Sequence, residues 1–187
     1  MPMPWSKDNC KILINATLGN EEVKSIEVHD LDCPPEAASE LLELLSSQRF
    51  PQDGLSVLIL EWFKPSIKTL NQDLLSKLAQ RSSQRLQMLS VRGMCYLSSE
   101  ARGALSQMVS QILEARPPLT HLSLSYFSKG EDPAHGKLII EALACSSIAT
   151  LTFLRLDGNS SWWTIRECRG LLTVVEKRQT NLLTFKF

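Results

Sequence analysis

The sequence predicts an α/β chain made of repeated units, each a short strand, a turn, a helix and a return loop. Three observations carry this reading. A short apolar pattern of the form LxxLxL recurs six times, starting at Val23, Leu55, Leu86, Leu119, Leu151 and Leu182. The steps between starts are 32, 31, 33, 32 and 31 residues, the constant period that marks repeat architectures. An amphipathic helical stretch follows each of the first five copies in the same frame. A doubly wound α/β domain also alternates strands and helices. It requires neither a constant step nor an LxxLxL strand, and large insertions are absent here.

Taken in order, the strands are expected near residues 25–29, 57–61, 88–92, 121–125 and 153–157, with a last copy at the end of the chain. Positions one, four and six of each copy are apolar and should point into one shared core. In the fourth unit these are Leu119, Leu122 and Leu124. The helices are expected over 35–47, 70–80, 99–114, 133–144 and 164–177. Nineteen residues after the first four starts stand Leu42, Leu74, Leu105 and Leu138, while the fifth unit has Gly170 there and Leu171 one later. The third helix shows the clearest apolar stripe, in Leu105, Met108, Val109, Ile112 and Leu113. Ser99, with Glu100 after it, reads as a helix start, and Asp73 suits the first turn of the second. One such unit cannot bury its own apolar face, so stacking of neighbours must supply the stability.

LxxLxL followed by a helix, at a period near thirty, resembles the leucine-rich repeat in its ribonuclease-inhibitor-like class. The resemblance runs from Val23 to Phe187, as five full units and a final strand, and leaves residues 1–22 as an N-terminal cap. It implies a short horseshoe-shaped solenoid with a parallel sheet on the concave face and helices on the convex face. The family position for Asn or Cys, three after LxxLxL, holds Leu31, Phe63, Met94, Phe127 and Asn159, of which Asn159 alone conforms. The family also includes a GTPase activator with a longer concave face, from which no residues carry over to this chain.

Lys and Arg number 20 against 20 Asp and Glu, so no global field draws in nucleic acid or anionic lipid. The five cysteines form no CxxC and no zinc spacing, which points to reduced thiols in the cytoplasm or another reducing intracellular compartment. The first residues contain no apolar core of a signal peptide, and no apolar run approaches the roughly 18 residues of a membrane span.

No motif for catalysis, a cofactor or a metal is present: there is no phosphate loop, HExxH or GxSxG. His29, His121 and His135 stand near serines or Asp30, but no sharp nucleophile turn or oxyanion site accompanies them. They read as ordinary surface histidines.

Positions three, five and seven of each unit should form the sheet face away from the helices. In register they bring together Val57, Ile59, Met88 and Phe153 as an apolar centre, with His121 in the same row. Trp62 and Tyr126 are expected at the strand ends, and Glu61, Arg92, Arg155 and Asp157 as a charged surround. Apolar and aromatic residues inside a charged rim suit a protein-binding patch, and Met88 and Phe153 are expected to be exposed. Trp162 and Trp163 adjoin in the loop after the fifth strand, where one should pack and the other lie exposed.

The expected function is therefore non-catalytic binding of a protein partner through the concave sheet face. A small structural subunit within a larger assembly is the alternative, and a GTPase regulator ranks third. Residues 1–22 should cap the first repeat. Leu182, Phe185 and Phe187 should form an apolar C-terminal edge that pairs with a second copy or another subunit.

Overall fold

The computed structural model describes residues 24–29, 40, 43, 55–61, 72–82, 85–93, 97–125, 133–145, 150–158, 169–170, 176 and 184–186. Six strands form one all-parallel sheet: β1 (Ser25–His29), β2 (Val57–Glu61), β3 (Met88–Arg92), β4 (His121–Ser125), β5 (Phe153–Arg155) and β6 (Thr184–Lys186). Their order in the sheet is their order in the chain. Among the described residues three helices are given with their bounds: α1 (Gln72–Ser82), α2 (Ser99–Glu114) and α3 (Pro133–Cys145). Glu40 and Glu43 are also helical, as are Arg169, Gly170 and Glu176, which places helical backbone in the first and fifth units too.

The register follows the sequence period. Ile26 pairs with Leu58, Leu58 with Leu89, Leu89 with Leu122, Leu122 with Leu154, and Leu154 with Phe185. The fourth-position Ile26, Leu58, Leu89, Leu122 and Leu154 and the sixth-position Leu60, Val91, Leu124 and Leu156 are buried, as are the first-position Leu55, Leu86, Leu119 and Leu151. They meet Leu78, Leu105, Met108, Val109, Ile112, Leu113, Ile139 and Leu143 from the helices in one continuous core. Removing each such side chain from water stabilises the fold by about 1.5–3 kcal/mol.

α2 packs against α1 on one side and α3 on the other, so the helices form a single layer over one face of the sheet. Its central place explains why even Ser106 and Ser110 are buried, each with its hydroxyl bonded, to the Arg102 carbonyl at 2.8 Å and to Glu114 Oε1 at 3.2 Å. The helix spans Ser99–Glu114, the expected bounds. Ser98 is the N-cap, in extended conformation, and its Oγ accepts the Ala101 N–H at 3.3 Å. At the other end Arg116 takes a left-handed φ of 56°, its N–H bonded to the Leu113 carbonyl at 3.0 Å, and Pro117 and Pro118 stop the helix.

Leu138 shares the frame of Leu105 but not its burial. It is 36 % exposed, and the buried stripe of α3 is instead Ile139, Ile140, Ala142 and Leu143. A one-residue shift turns a helix by about 100°, enough to exchange Leu138 for Ile139 on the core side. Gly170, in the next unit, lies beside Ile140: a Cβ there would stand 3.9 Å from Ile140 Cγ2. No helix among the described residues is long and apolar enough to cross a membrane. The expected N-terminal cap, the corner residues Leu31, Phe63, Met94, Phe127 and Asn159, and Trp162 and Trp163 lie outside the described residues.

Candidate binding face of the sheet

The strands alternate buried and half-buried residues, and the third, fifth and seventh positions of the units fall into three rows in register across the sheet. The first row is Ser25, Val57, Met88, His121, Phe153 and Thr184, neighbour to neighbour in register. The second is Glu27, Ile59, Ser90, Ser123, Arg155 and Lys186. The third is His29, Glu61, Arg92 and Ser125. Val57, Ile59, Met88 and Phe153 are half-buried rather than exposed, because strands roughly 4.8 Å apart bring each row's side chains against one another.

The clearest such contact joins His121 and Phe153, whose rings stack at 5.5 Å between centroids and 23° between planes. His121 is held from a second side, its Nδ1 lying 2.9 Å from Thr120 Oγ1. The Thr120 hydroxyl spends its one hydrogen on the Gln87 carbonyl at 3.0 Å. With that hydrogen committed, the Nδ1–H of His121 is the donor to Thr120 Oγ1.

Thr120 belongs to a ladder that the sequence reading missed. The second residue of each unit offers its carbonyl to two amides of the next: Lys24 to Ser56 and Val57, Ser56 to Gln87 and Met88, Gln87 to Thr120 and His121, and Thr120 to Thr152 and Phe153. Wherever the following unit carries a hydroxyl at its own second position, that hydroxyl joins. Ser56 bonds the Lys24 carbonyl at 2.9 Å, Thr120 the Gln87 carbonyl and Thr152 the Thr120 carbonyl at 3.1 Å. The recurrence of Ser or Thr at second positions was the available signal.

At the far side of the face, Arg155 and Asp157 form a two-pronged ion pair, and Asp157 also accepts a hydrogen bond from the Ser125 hydroxyl. The Arg155 guanidinium holds the Asp157 carboxyl below the usual carboxylate range. Partial burial opposes this, and the Ser125 bond adds to the lowering. Two members of the expected charged surround are thus each other's neighbours. On the third row Glu61 and Arg92 stand side by side in register. Ser90 and Ser125 are buried, the latter beneath Asp157.

Gly93 and Gly158 close this edge. Both occupy the eighth position of their units and have φ near 75° and 72°. Glycine is the residue that adopts this left-handed turn without steric cost, and here it lets the Gly93 N–H reach the Ser125 carbonyl at 3.0 Å.

Of the residues expected at the binding face, Val57, Ile59, Glu61, Met88, Arg92, His121, Phe153, Arg155 and Asp157 therefore share one surface. Trp62 and Tyr126 lie outside the described residues, as do Leu182 and Phe187 of the expected C-terminal edge. Phe185 is described in its backbone, as the β6 partner of Leu154. Among the described residues no three His, Cys, Asp or Glu side chains are grouped so as to hold a metal ion. No family model and no curated protein matches the chain.

Proposed function

We propose that this chain is a leucine-rich-repeat solenoid that binds a partner protein through its sheet face without catalysing a reaction. The observation that carries the proposal is the row Val57, Met88, His121 and Phe153, aligned across four strands on the face the described helices leave uncovered. Beside it lie Ile59 and the charged residues Glu61, Arg92, Arg155 and Asp157. A half-buried apolar row bounded by charges of both signs has the make-up of an interface core and its rim. Beneath it the carbonyl ladder ties each of the strands β1 to β5 to the next, so that binding pays little for ordering the face. The solenoid reading rests on the constant 31–33-residue register and on strands that follow chain order.

The test is affinity capture with wild type beside a Met88→Glu/Phe153→Glu variant whose fold is verified by circular dichroism and urea unfolding. A partner recovered with wild type, lost with the variant and rebinding wild type as a purified pair supports the reading. A purified partner that binds both forms equally overturns it.

A further inference from the structure

Ser125 ends β4 with no exposed surface, and its hydroxyl and carbonyl are bound to different units. The hydroxyl donates to the Asp157 carboxylate of the fifth unit. The carbonyl accepts the Gly93 N–H of the third unit at 3.0 Å. Arg155 holds the same carboxylate from the other side, through its Nε and Nη2. Both ends of this chain of bonds stand at glycine turns: Gly93 has a φ of 75°, and Asp157 directly precedes Gly158, with a φ of 72°. We propose that Ser125 is the middle link of an acid-released latch, through which the charge of Asp157 sets the backbone turn at Gly93 two units away.

The chemistry of each link supports the coupling. A hydroxyl has a single hydrogen, and that of Ser125 goes to Asp157. Buried as it is, Ser125 has no water to turn to when this acceptor weakens, so its side chain must rotate and carry the end of β4 with it. A hydrogen bond to an ionised carboxylate is roughly twice as strong as one to a neutral acceptor. Protonating Asp157 therefore loosens the Ser125 link and the Arg155 grip together. At the far end Gly93 is buried, and its N–H relies on the Ser125 carbonyl.

Among the described residues, the charged groups around this chain are Arg155 itself, Arg92, which pairs with Ser125 in register, and Lys186, which pairs with Arg155. His121, the titratable residue of β4, stacks on Phe153 in the first row. The folded-state pKa of Asp157 is lowered, chiefly by the Arg155 hydrogen bonds. The latch is closed at neutral pH and opens as pH falls through that lowered value.

The experiment is nuclear magnetic resonance on the isotope-labelled full chain. In wild type, the Gly93 amide and the Asp157 carboxyl carbon are followed from neutral pH into acid, and they are expected to shift with one midpoint. At neutral pH Asp157→Asn, which mimics the uncharged carboxyl, is expected to move the Gly93 amide in the direction that acid moves it. In Ser125→Ala the Asp157 carboxyl should still titrate, while the Gly93 amide no longer follows it and no longer responds to Asp157→Asn. Each variant is first shown to be folded by thermal melting. The neutral-pH comparison decides the matter if the chain unfolds before Asp157 is protonated. A Gly93 amide that ignores Asp157 in the presence of Ser125 overturns the proposal. So does one that follows Asp157 equally well in Ser125→Ala, because the effect then passes through space and not through the hydroxyl.

Discussion

Arg155 grips Asp157 with two hydrogen bonds, Nε to Oδ1 at 2.8 Å and Nη2 to Oδ2 at 2.6 Å, while the buried Ser125 hydroxyl bonds the same carboxylate from the neighbouring strand. The side chains of the pair retain 30 % and 20 % of their exposure. The pair is therefore partly shielded from water, and its geometry is the two-pronged one that Arg and a carboxylate favour.

This arrangement makes stability depend on acid. The folded-state pKa of Asp157 is lowered, chiefly by the Arg155 hydrogen bonds, so its contribution is present above the ordinary carboxylate range and is lost as pH falls through the folded value. Asp157→Asn is expected to cost about 1–2 kcal/mol at neutral pH. The cost should shrink in acid, where wild type has lost the same charge. Urea unfolding of both proteins between neutrality and acid pH checks this; a cost that does not change with pH would count against the ion pair.

Leu122 pairs with Leu89 and Leu154 and has no exposed surface. Leu122→Ala is expected to destabilise by about 2–5 kcal/mol, the lost transfer energy plus a cavity. Urea unfolding decides it, and a loss under about 0.5 kcal/mol would mean that the site does not have the packing described.

Thr120 both gives a hydrogen bond to the Gln87 carbonyl and accepts one from His121 Nδ1. Thr120→Val keeps the shape and removes both, for an expected loss of about 1 kcal/mol. The imidazole nitrogen shifts should report a new tautomer balance for His121, since nothing then fixes its proton on Nδ1. Unchanged shifts would show that Thr120 does not set the tautomer.

Gly170 is helical and has room for a methyl group 3.9 Å from Ile140 Cγ2, an ordinary contact distance. Gly170→Ala is expected to raise stability by about 0.5–1 kcal/mol, by restricting the unfolded chain and favouring helix. A higher thermal midpoint confirms this, and a lower one would mean that the site cannot take the added carbon.

Arg116 holds a left-handed conformation at the end of α2 that costs a residue with a Cβ more than it costs glycine. Arg116→Gly is expected to gain about 0.5–1 kcal/mol in thermal or urea unfolding. A loss would show that the Arg116 side chain contributes more than its backbone costs.

The strand register was legible because two constraints act on the same residues. In Leu119, Leu122 and Leu124 the apolar positions must share a face, and the constant period then aligns them with Leu86, Leu89 and Val91. α2 was legible for a similar reason, its stripe from Leu105 to Leu113 being unambiguous. α3 was not, because Leu138, Ile139 and Ile140 are consecutive and equally apolar, and which of them turns inward depends on how the helix rotates against α2. Arg155 and Asp157 were legible as members of the face but not as a pair. Their meeting depends on β5 ending at Arg155, after which the backbone bends and brings Asp157 back toward its neighbour. The hydroxyl ladder was hidden because it joins side chains to the backbone of the preceding unit, a relation that no single unit displays.

Every strand pairing in the sheet joins residues 31–33 positions apart, and none reaches beyond the adjacent unit. The chain therefore never has to close a long loop to complete its sheet, and the entropic toll of each new ladder is nearly the same as that of the last. Assembly can begin wherever two adjoining units are strongest and spread outward one strand at a time. One such place is where β3 and β4 lie under α2, which is packed on both sides. Among the described residues each step outward adds one strand to a strand already in place.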